Sequence, residues 1–490
     1  MAKQDTKSEN YSISAEELKS KMEQHESFMI FDIGDKSRYE KEHIPGSAFA
    51  VCDEKTINNL VPKLPKNIDI VLVAEDENYI KETASMARGM GLKTRYLKGG
   101  LSGWKWELTK NKGKYISANE LKKSFDKAGI DNNLFLLDVR EPEEFEQWNI
   151  EGSKNIPIGK IADKESLKQI PKDTEIVTIC PYGNRSSIAT YMLQRQGYNV
   201  KTLEGGLKAW SSAFEYTTKE FDVYDKNEES KKIKVIQIRR IGKGCLSYII
   251  GSNNNKESIV IDPVFPIEDY IQIAKNELNS KISKVYDTHH HADHVSGAKA
   301  LAEKINAEFY LSSYENYSFK DYGQLKDGDR HYIIDSTIEL TVIHTPGHTA
   351  GALSFLISNK LLFTGDTVLV DNVGRPDLRD KAKEFAEMLH DTLHNKILNL
   401  PEDMLIFPAH IEGTVKEEEM VTTSLANVRK KSKYLNLEKD EFIQKMVSIT
   451  MPTPPQYKEI IEMNQGKKTI LPLSEIQDLE MGPNRCGVSA

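Results

Sequence analysis

Through the first two hundred residues, short β-rich runs alternate with helical stretches, a pattern that predicts α/β domains built on parallel sheets. The run I-V-T-I ahead of Cys180 predicts a strand, and Ser186 to Gln196 predicts the helix after it. The whole pattern occurs twice. Residues 29–51, M-I-F-D-I-G-D-K-S-R-Y-E-K-E-H-I-P-G-S-A-F-A-V, align without a gap to residues 135–157, F-L-L-D-V-R-E-P-E-E-F-E-Q-W-N-I-E-G-S-K-N-I-P. The offset of 106 residues, fixed by Asp32 and Asp138, recurs at Trp104 and Trp210. A period that long signals duplicated domains, not a solenoid. Beyond Trp210 a charged, proline-free stretch from Tyr216 to Lys234 predicts a linker or a solvated hairpin. Further on, the apolar stretch Ile282 to Val285 predicts a buried strand, and L-L-F-T-G before Asp366 predicts another.

Both of those strands run into residues that bind metals. Thr288-His289-His290-His291-Ala292-Asp293-His294 packs imidazoles and a carboxylate into one short loop, and His348 in H-T-P-G-H-T, Asp366 in T-G-D-T and His410 in I-F-P-A-H add more. Any one of these could be a histidine satisfied in a core; the set points to a metal or catalytic site. Imidazole with carboxylate suits zinc, iron or manganese.

In the second copy of the repeat the chemistry sits in C-P-Y-G-N-R-S-S. Cys180 falls just past a strand and just before a helix, where converging N–H groups and the helix dipole favour a thiolate. Gly183 lets the loop curl, and Arg185 adds a cation for an anionic sulfur donor, with Ser186 opening the helix beside it. The first copy has Ala74 opposite Cys180, in the acidic loop A-E-D-E-N-Y. Carboxylates there would repel an anionic donor.

The order T-H-x-H-x-D-H, H-T-P-G-H, T-G-D and P-A-H resembles the metallo-β-lactamase fold superfamily, which implies an αβ/βα sandwich with the metal at one edge. The repeat, with Asp138-Val139-Arg140 and Gly205-Gly206 around the Cys180 loop, resembles the rhodanese family over about residues 115–212. That implies a sulfurtransferase whose cysteine passes through a persulfide. Residues 11–108 resemble a rhodanese without its nucleophile, with a structural or docking role; a packing role is expected for Cys52. Cys245-Leu246-Ser247-Tyr248, Ile261-Asp262-Pro263-Val264, Gly374-Arg375-Pro376-Asp377 and Asn484-Arg485-Cys486-Gly487-Val488 resemble the persulfide dioxygenases over nearly all of residues 235–490.

The last resemblance implies one iron(II) per chain on His289, His348 and Asp366, with three cis positions left for a persulfide sulfur and dioxygen. His291, Asp293, His294 and His410 would orient ligands or relay protons, or else hold a second metal as in dinuclear zinc hydrolases. Arg375 matches the family's G-R-x-D loop and suits a substrate carboxylate or a supporting ion pair. Where glutathione-using relatives carry a tyrosine after the P-A-H histidine, this chain has Glu412, which suits anionic glutathione less well.

At 490 residues the chain is too long for one core. The expected domains are 1–110 (inactive rhodanese-like), 111–215 (active rhodanese), 216–234 (linker) and 235–490 (dioxygenase). The net charge of −8 argues against nucleic acid or an anionic membrane as partner. A hydrophilic start, no long apolar run and four scattered cysteines fit a soluble cytosolic protein with reduced thiols. The expectation is therefore a homo-oligomeric, bifunctional enzyme acting on small molecules: thiol persulfide, thiosulfate and dioxygen. Two alternatives are a glyoxalase-II-like thioester hydrolase with two zinc ions, and a rhodanese pair that serves as a scaffold with Cys180 as a sulfur sensor.

Overall fold

The structure, a computed structural model, describes residues 11–24, 28–50, 58, 60–66, 68–110, 115–128, 134–253, 256–376, 381–411, 419–449, 453 and 456–482. Cys52, Asp377, Glu412 and the motif at 484–488 lie outside the described residues. The chain forms two compact units, Met1–Trp210 and Ser211–Ala490.

The first unit holds both copies of the repeat. Each is a five-stranded parallel sheet with the same spatial order. In the first copy the order is Ser12–Ile13, Lys93–Leu97, Asp69–Val73, Phe28–Asp32 and Ala48–Phe49; in the second it is Tyr115–Ile116, Val200–Leu203, Glu175–Ile179, Leu134–Asp138 and Lys154–Asn155. The central strands are buried nearly throughout, as expected for parallel strands covered by helices on both faces. The helix after Cys180 spans Asn184–Gln194, two residues earlier than the pattern suggested at each end. The two copies are not independent globules. One apolar core joins Leu72, Ile80 and Ala84 of the first to Ile176, Ile188 and Leu193 of the second. Arg195 at the end of the second copy's helix donates to Phe28 O across that junction at 2.5 Å.

The second unit is a sandwich of a seven-stranded and a six-stranded sheet. Tyr248, Ile250, Phe355, Phe363 and Phe407 fill the space between them. The helices Glu268–Leu278 and Ala298–Ile305 cover the first sheet, and Ala382–Thr392, Leu425–Lys431 and Lys439–Ser448 cover the second. This is the expected αβ/βα layering.

Of the two readings of 216–234, a linker or a solvated hairpin, the structure shows the hairpin. Phe214–Tyr224 and Ser230–Arg240 pair antiparallel along their whole length, from Phe214 opposite Arg240 to Tyr224 opposite Ser230, and open the seven-stranded sheet. Phe221, Val223, Ile233 and Val235 point into the core while Glu220, Asp222 and Lys232 stay exposed. The charges that suggested a linker are the wet face of an edge hairpin. No helix among the described residues is long and apolar enough to cross a membrane.

Candidate metal centre and sulfur-transfer loop

Four strands of the second unit end at one edge of the sandwich, and each delivers metal-type side chains there. Asp262 follows Glu257–Ile261, residues 287–294 follow Lys281–Tyr286, Asp366 follows Leu361–Gly365, and His410 lies just past Leu405–Pro408. His348 comes from the loop after Ile338–His344. All are buried.

His289, His348 and Asp366 converge, each offering one ligand atom within 4.8 Å of the others. The hydrogen bonds behind them decide which ring nitrogen faces inward. Thr288 Oγ1 donates to Asp262 Oδ2 at 2.8 Å, so toward His289 Nδ1, also 2.8 Å away, it can only accept. His348 Nδ1 lies 2.9 Å from the carbonyl of Arg375, which accepts only. Each ring therefore carries its proton on Nδ1 and presents a bare Nε2. Both Nε2 atoms are buried without a protein partner, and each lies 3.6 Å from Asp366 Oδ2. Burial pushes His289 down and His348 down to about 4, so both rings are neutral at pH 7, the form that binds a metal. Burial alone would raise Asp366, but His410 beside it prevails and holds the carboxylate well below its usual range. The residues present thus fit a metal ion.

The remaining histidines fall into two other groups. His291 turns away to Asp262, with Nε2 at 3.3 Å from Oδ1, and sits with Asp287. Asp293, His294 and His410 gather with Cys245. His410 Nδ1 faces both oxygens of Asp366 at 2.7 and 2.8 Å, and its Nε2 faces Asp293 Oδ2 at 3.2 Å. His410 thus lies between two carboxylates, and with Cys245, Asp293 and His294 it makes a second group of residues that could hold a metal ion. Cys245 Sγ donates to the same Asp293 oxygen at 3.1 Å, while His294 keeps a bare Nε2.

Gly365 has φ +54, and a Cβ there would stand 2.7 Å from Thr288 Oγ1, the atom that orients His289. Gly365→Ala should lower stability by about 1–3 kcal/mol and reduce bound metal; a denaturation midpoint and metal content equal to wild type would refute this. Arg375 is buried beside the site. Its side chain is 1% exposed, and the contribution seen at the site is its backbone carbonyl on His348.

In the first unit, Cys180 Sγ accepts from the N–H of Gly183 at 3.2 Å and of Ser186 at 3.3 Å, with Ser186 Oγ at 3.3 Å. Gly183, at φ +94, makes that curl. Arg185 lies near enough to Cys180 to feel its charge, and its guanidinium is also held by Glu144 through two bonds of 2.7 and 2.6 Å. Half-burial would push Glu144 up, but Arg185 outweighs it and holds the carboxyl at about 2, so the pair stays ionised across the physiological range. An anionic donor would meet the loop's N–H groups first.

The first copy closes the same cradle with its own side chains. Asp76 caps the helix Glu77–Gly89 by accepting from Asn78 N at 2.8 Å and Tyr79 N at 3.3 Å. Arg38 bonds both Asp32 and Glu75 at 2.5 Å. Ala74→Cys in a Cys180→Ser background should therefore give no sulfur transfer, because Asp76 already occupies the helix N-terminus. Recovery of even a few per cent of the native rate, on the order of 1–5%, would show that the cradle is open.

Sequence reading quoted Cys245 and Asp262 as motif residues without a role at the site, and gave Asp287 and Glu144 none. Asp262 carried a signal, a lone carboxylate ending an apolar run; Glu144 carried none.

The Rhodanese-like domain model matches residues 14–107 and 117–213, and the Metallo-beta-lactamase superfamily model matches residues 240–410. The chain belongs to the metallo-β-lactamase superfamily and carries two rhodanese-like domains ahead of that fold. It is 29% identical over 229 residues to the mitochondrial persulfide dioxygenase ETHE1 of Bos taurus, covering 45% of this chain and 84% of that one. It is 31% identical over 196 residues to the probable polyketide biosynthesis zinc-dependent hydrolase BaeB of Bacillus velezensis, covering 40% of this chain and 83% of the other. Among solved structures, ETHE1 from Myxococcus xanthus matches at 27% identity and TM-score 0.43, over 48% of this chain and 98% of that one.

Proposed function

We propose that the second unit is a persulfide dioxygenase holding one iron(II) on His289, His348 and Asp366, and that Cys180 of the first unit is a sulfurtransferase nucleophile. One observation carries the metal assignment. Two buried imidazoles present bare Nε2 atoms to one carboxylate, a donor set for one metal ion. The likeness to persulfide dioxygenases and the rhodanese-like pair support sulfur chemistry.

Iron(II) in that cradle would supply the redox chemistry by which dioxygen oxidises the outer sulfur of R-S-SH. The overall change consumes R-S-SH, one dioxygen and one water, and yields R-SH, sulfite and two protons. Thr288 and the Arg375 carbonyl fix the two rings, so the ligand atoms are aimed before the ion arrives. His410 lies between Asp366 and Asp293 and can hold a proton between the two carboxylates.

At Cys180 the thiolate attacks the outer sulfur of thiosulfate and releases sulfite. A small thiolate then takes the sulfane sulfur, producing a persulfide that the metal site consumes. The Gly183 and Ser186 N–H groups hold the negative sulfur at each stage.

The test is anaerobic purification, metal analysis, and oxygen uptake with glutathione persulfide and coenzyme A persulfide side by side. One iron per chain with uptake is expected. Two zincs with thioester cleavage would replace this reading with a hydrolase.

A further inference from the structure

The loop that carries His289 to His294 has almost no regular structure, so its backbone groups must find partners outside a helix or sheet. They find them at the far end of the chain. Asn464, closing the helix Tyr457–Asn464, donates one amide hydrogen to His291 O and the other to His294 O, each at 2.9 Å. Its Oδ1 accepts from Ser296 N at 2.8 Å. Glu480, just past the helix Leu473–Leu479, accepts from Val295 N at 2.6 Å through one oxygen and from Arg240 at 2.5 Å through the other. Lys243 ties the two together, donating to Asp293 O and, at 3.0 Å, to Glu480 O. Val295 itself packs against Ile460, Met463 and Ile476. Asn464, Glu480 and Arg240 are all buried.

We propose that residues 457–480 form a strap that locks the metal-ligand loop in its binding shape, with Asn464 and Glu480 as positioning residues. The strap lies wholly beyond the stretch matched by the superfamily model, which ends at residue 410. It reaches no reacting atom. Its action is to satisfy the carbonyls of His291 and His294 and the N–H groups of Val295 and Ser296, and to hold Lys243 on the Asp293 carbonyl through Glu480 O, so the loop has one arrangement before any ion binds. A site organised in that way loses its metal slowly, because the loop cannot open to hand it over without breaking buried hydrogen bonds.

The inference rests on the metal-centre assignment and not on which reaction occurs there. Asn464→Asp keeps the side chain's shape and replaces both donors by an acceptor facing two carbonyls. Glu480→Gln leaves Arg240 without its counter-charge. Each full-length variant, holding whatever metal it was purified with, is mixed with excess chelator well below its unfolding midpoint, and metal release is timed. Release about tenfold or more faster than wild type is expected for both, with Cys180 sulfur transfer unchanged and with Lys458→Ala, on the exposed side of the same helix, behaving as wild type. If Asn464→Asp fails to fold, Asn464→Ala, which removes the donors without adding charge, is read in its place. Release within about twofold of wild type in the folded variants overturns the proposal, as does an acceleration that disappears when the proteins are compared at equal distances below their midpoints. Finding zinc without oxygen uptake would sink the dioxygenase reading and leave this test intact.

Discussion

His289→Ala and Asp366→Asn should each abolish oxygen uptake and strip most of the bound iron. Under the proposed assignment each removes one of three ligands, and His410, the nearest other imidazole to Asp366, faces the carboxylates of Asp366 and Asp293. The two variants should fail differently in one respect. Asp366→Asn also takes away the negative charge that faces His410, so its loss should extend to the arrangement of that ring. His410→Ala should be milder, with metal affinity falling by about 10–100-fold, since it loses the group that aims the carboxylate and not a ligand. Normal iron and turnover in both ligand variants would falsify the assignment. Equal metal loss in His410→Ala would favour a two-metal site.

The second large effect concerns the nucleophile. Cys180→Ser should eliminate thiosulfate-dependent sulfur transfer while oxidation of a pre-formed persulfide continues. Serine preserves the size of the side chain and the N–H cradle but cannot carry a sulfane sulfur through a persulfide. The proposed function puts the two activities in different compact units, so the loss should be confined to one of them. Cys52→Ser should leave transfer intact. Were transfer to vanish in Cys52→Ser and survive in Cys180→Ser, both with the fold preserved, the nucleophile would have been placed in the wrong copy.

Strand ends and the metal-type residues just beyond them were readable from sequence because the signal is local: an apolar run shortly before His289 or Asp366 announces both the strand and the candidate donor. The duplication was equally plain, since one register held from Asp32 to Trp104. What sequence could not supply was the identity of long-range partners. Arg185 and Glu144 lie 41 residues apart, and nothing in C-P-Y-G-N-R-S-S reveals that the arginine is already paired. Asn464 and Glu480 lie still farther from the loop they hold, in helices whose composition is ordinary. The stretch 216–234 was ambiguous for a different reason. An edge hairpin with one dry face alternates, and its many lysines and glutamates outweigh a handful of inward residues when composition is averaged.

The continuous core of the first unit sets different rules for its two halves. In the Cys180 half, a substitution can be judged by what it does to chemistry. In the Ala74 half the position of Cys180 holds alanine, yet Leu72, Ile80 and Ala84 belong to the same packed interior as the helix that opens at Asn184. Mutations in the half without Cys180 should therefore announce themselves as poor yield, aggregation or slow refolding of its neighbour. The Cys180 half expressed by itself would expose as surface what is now interior, and a soluble, active fragment should require that face to be redesigned.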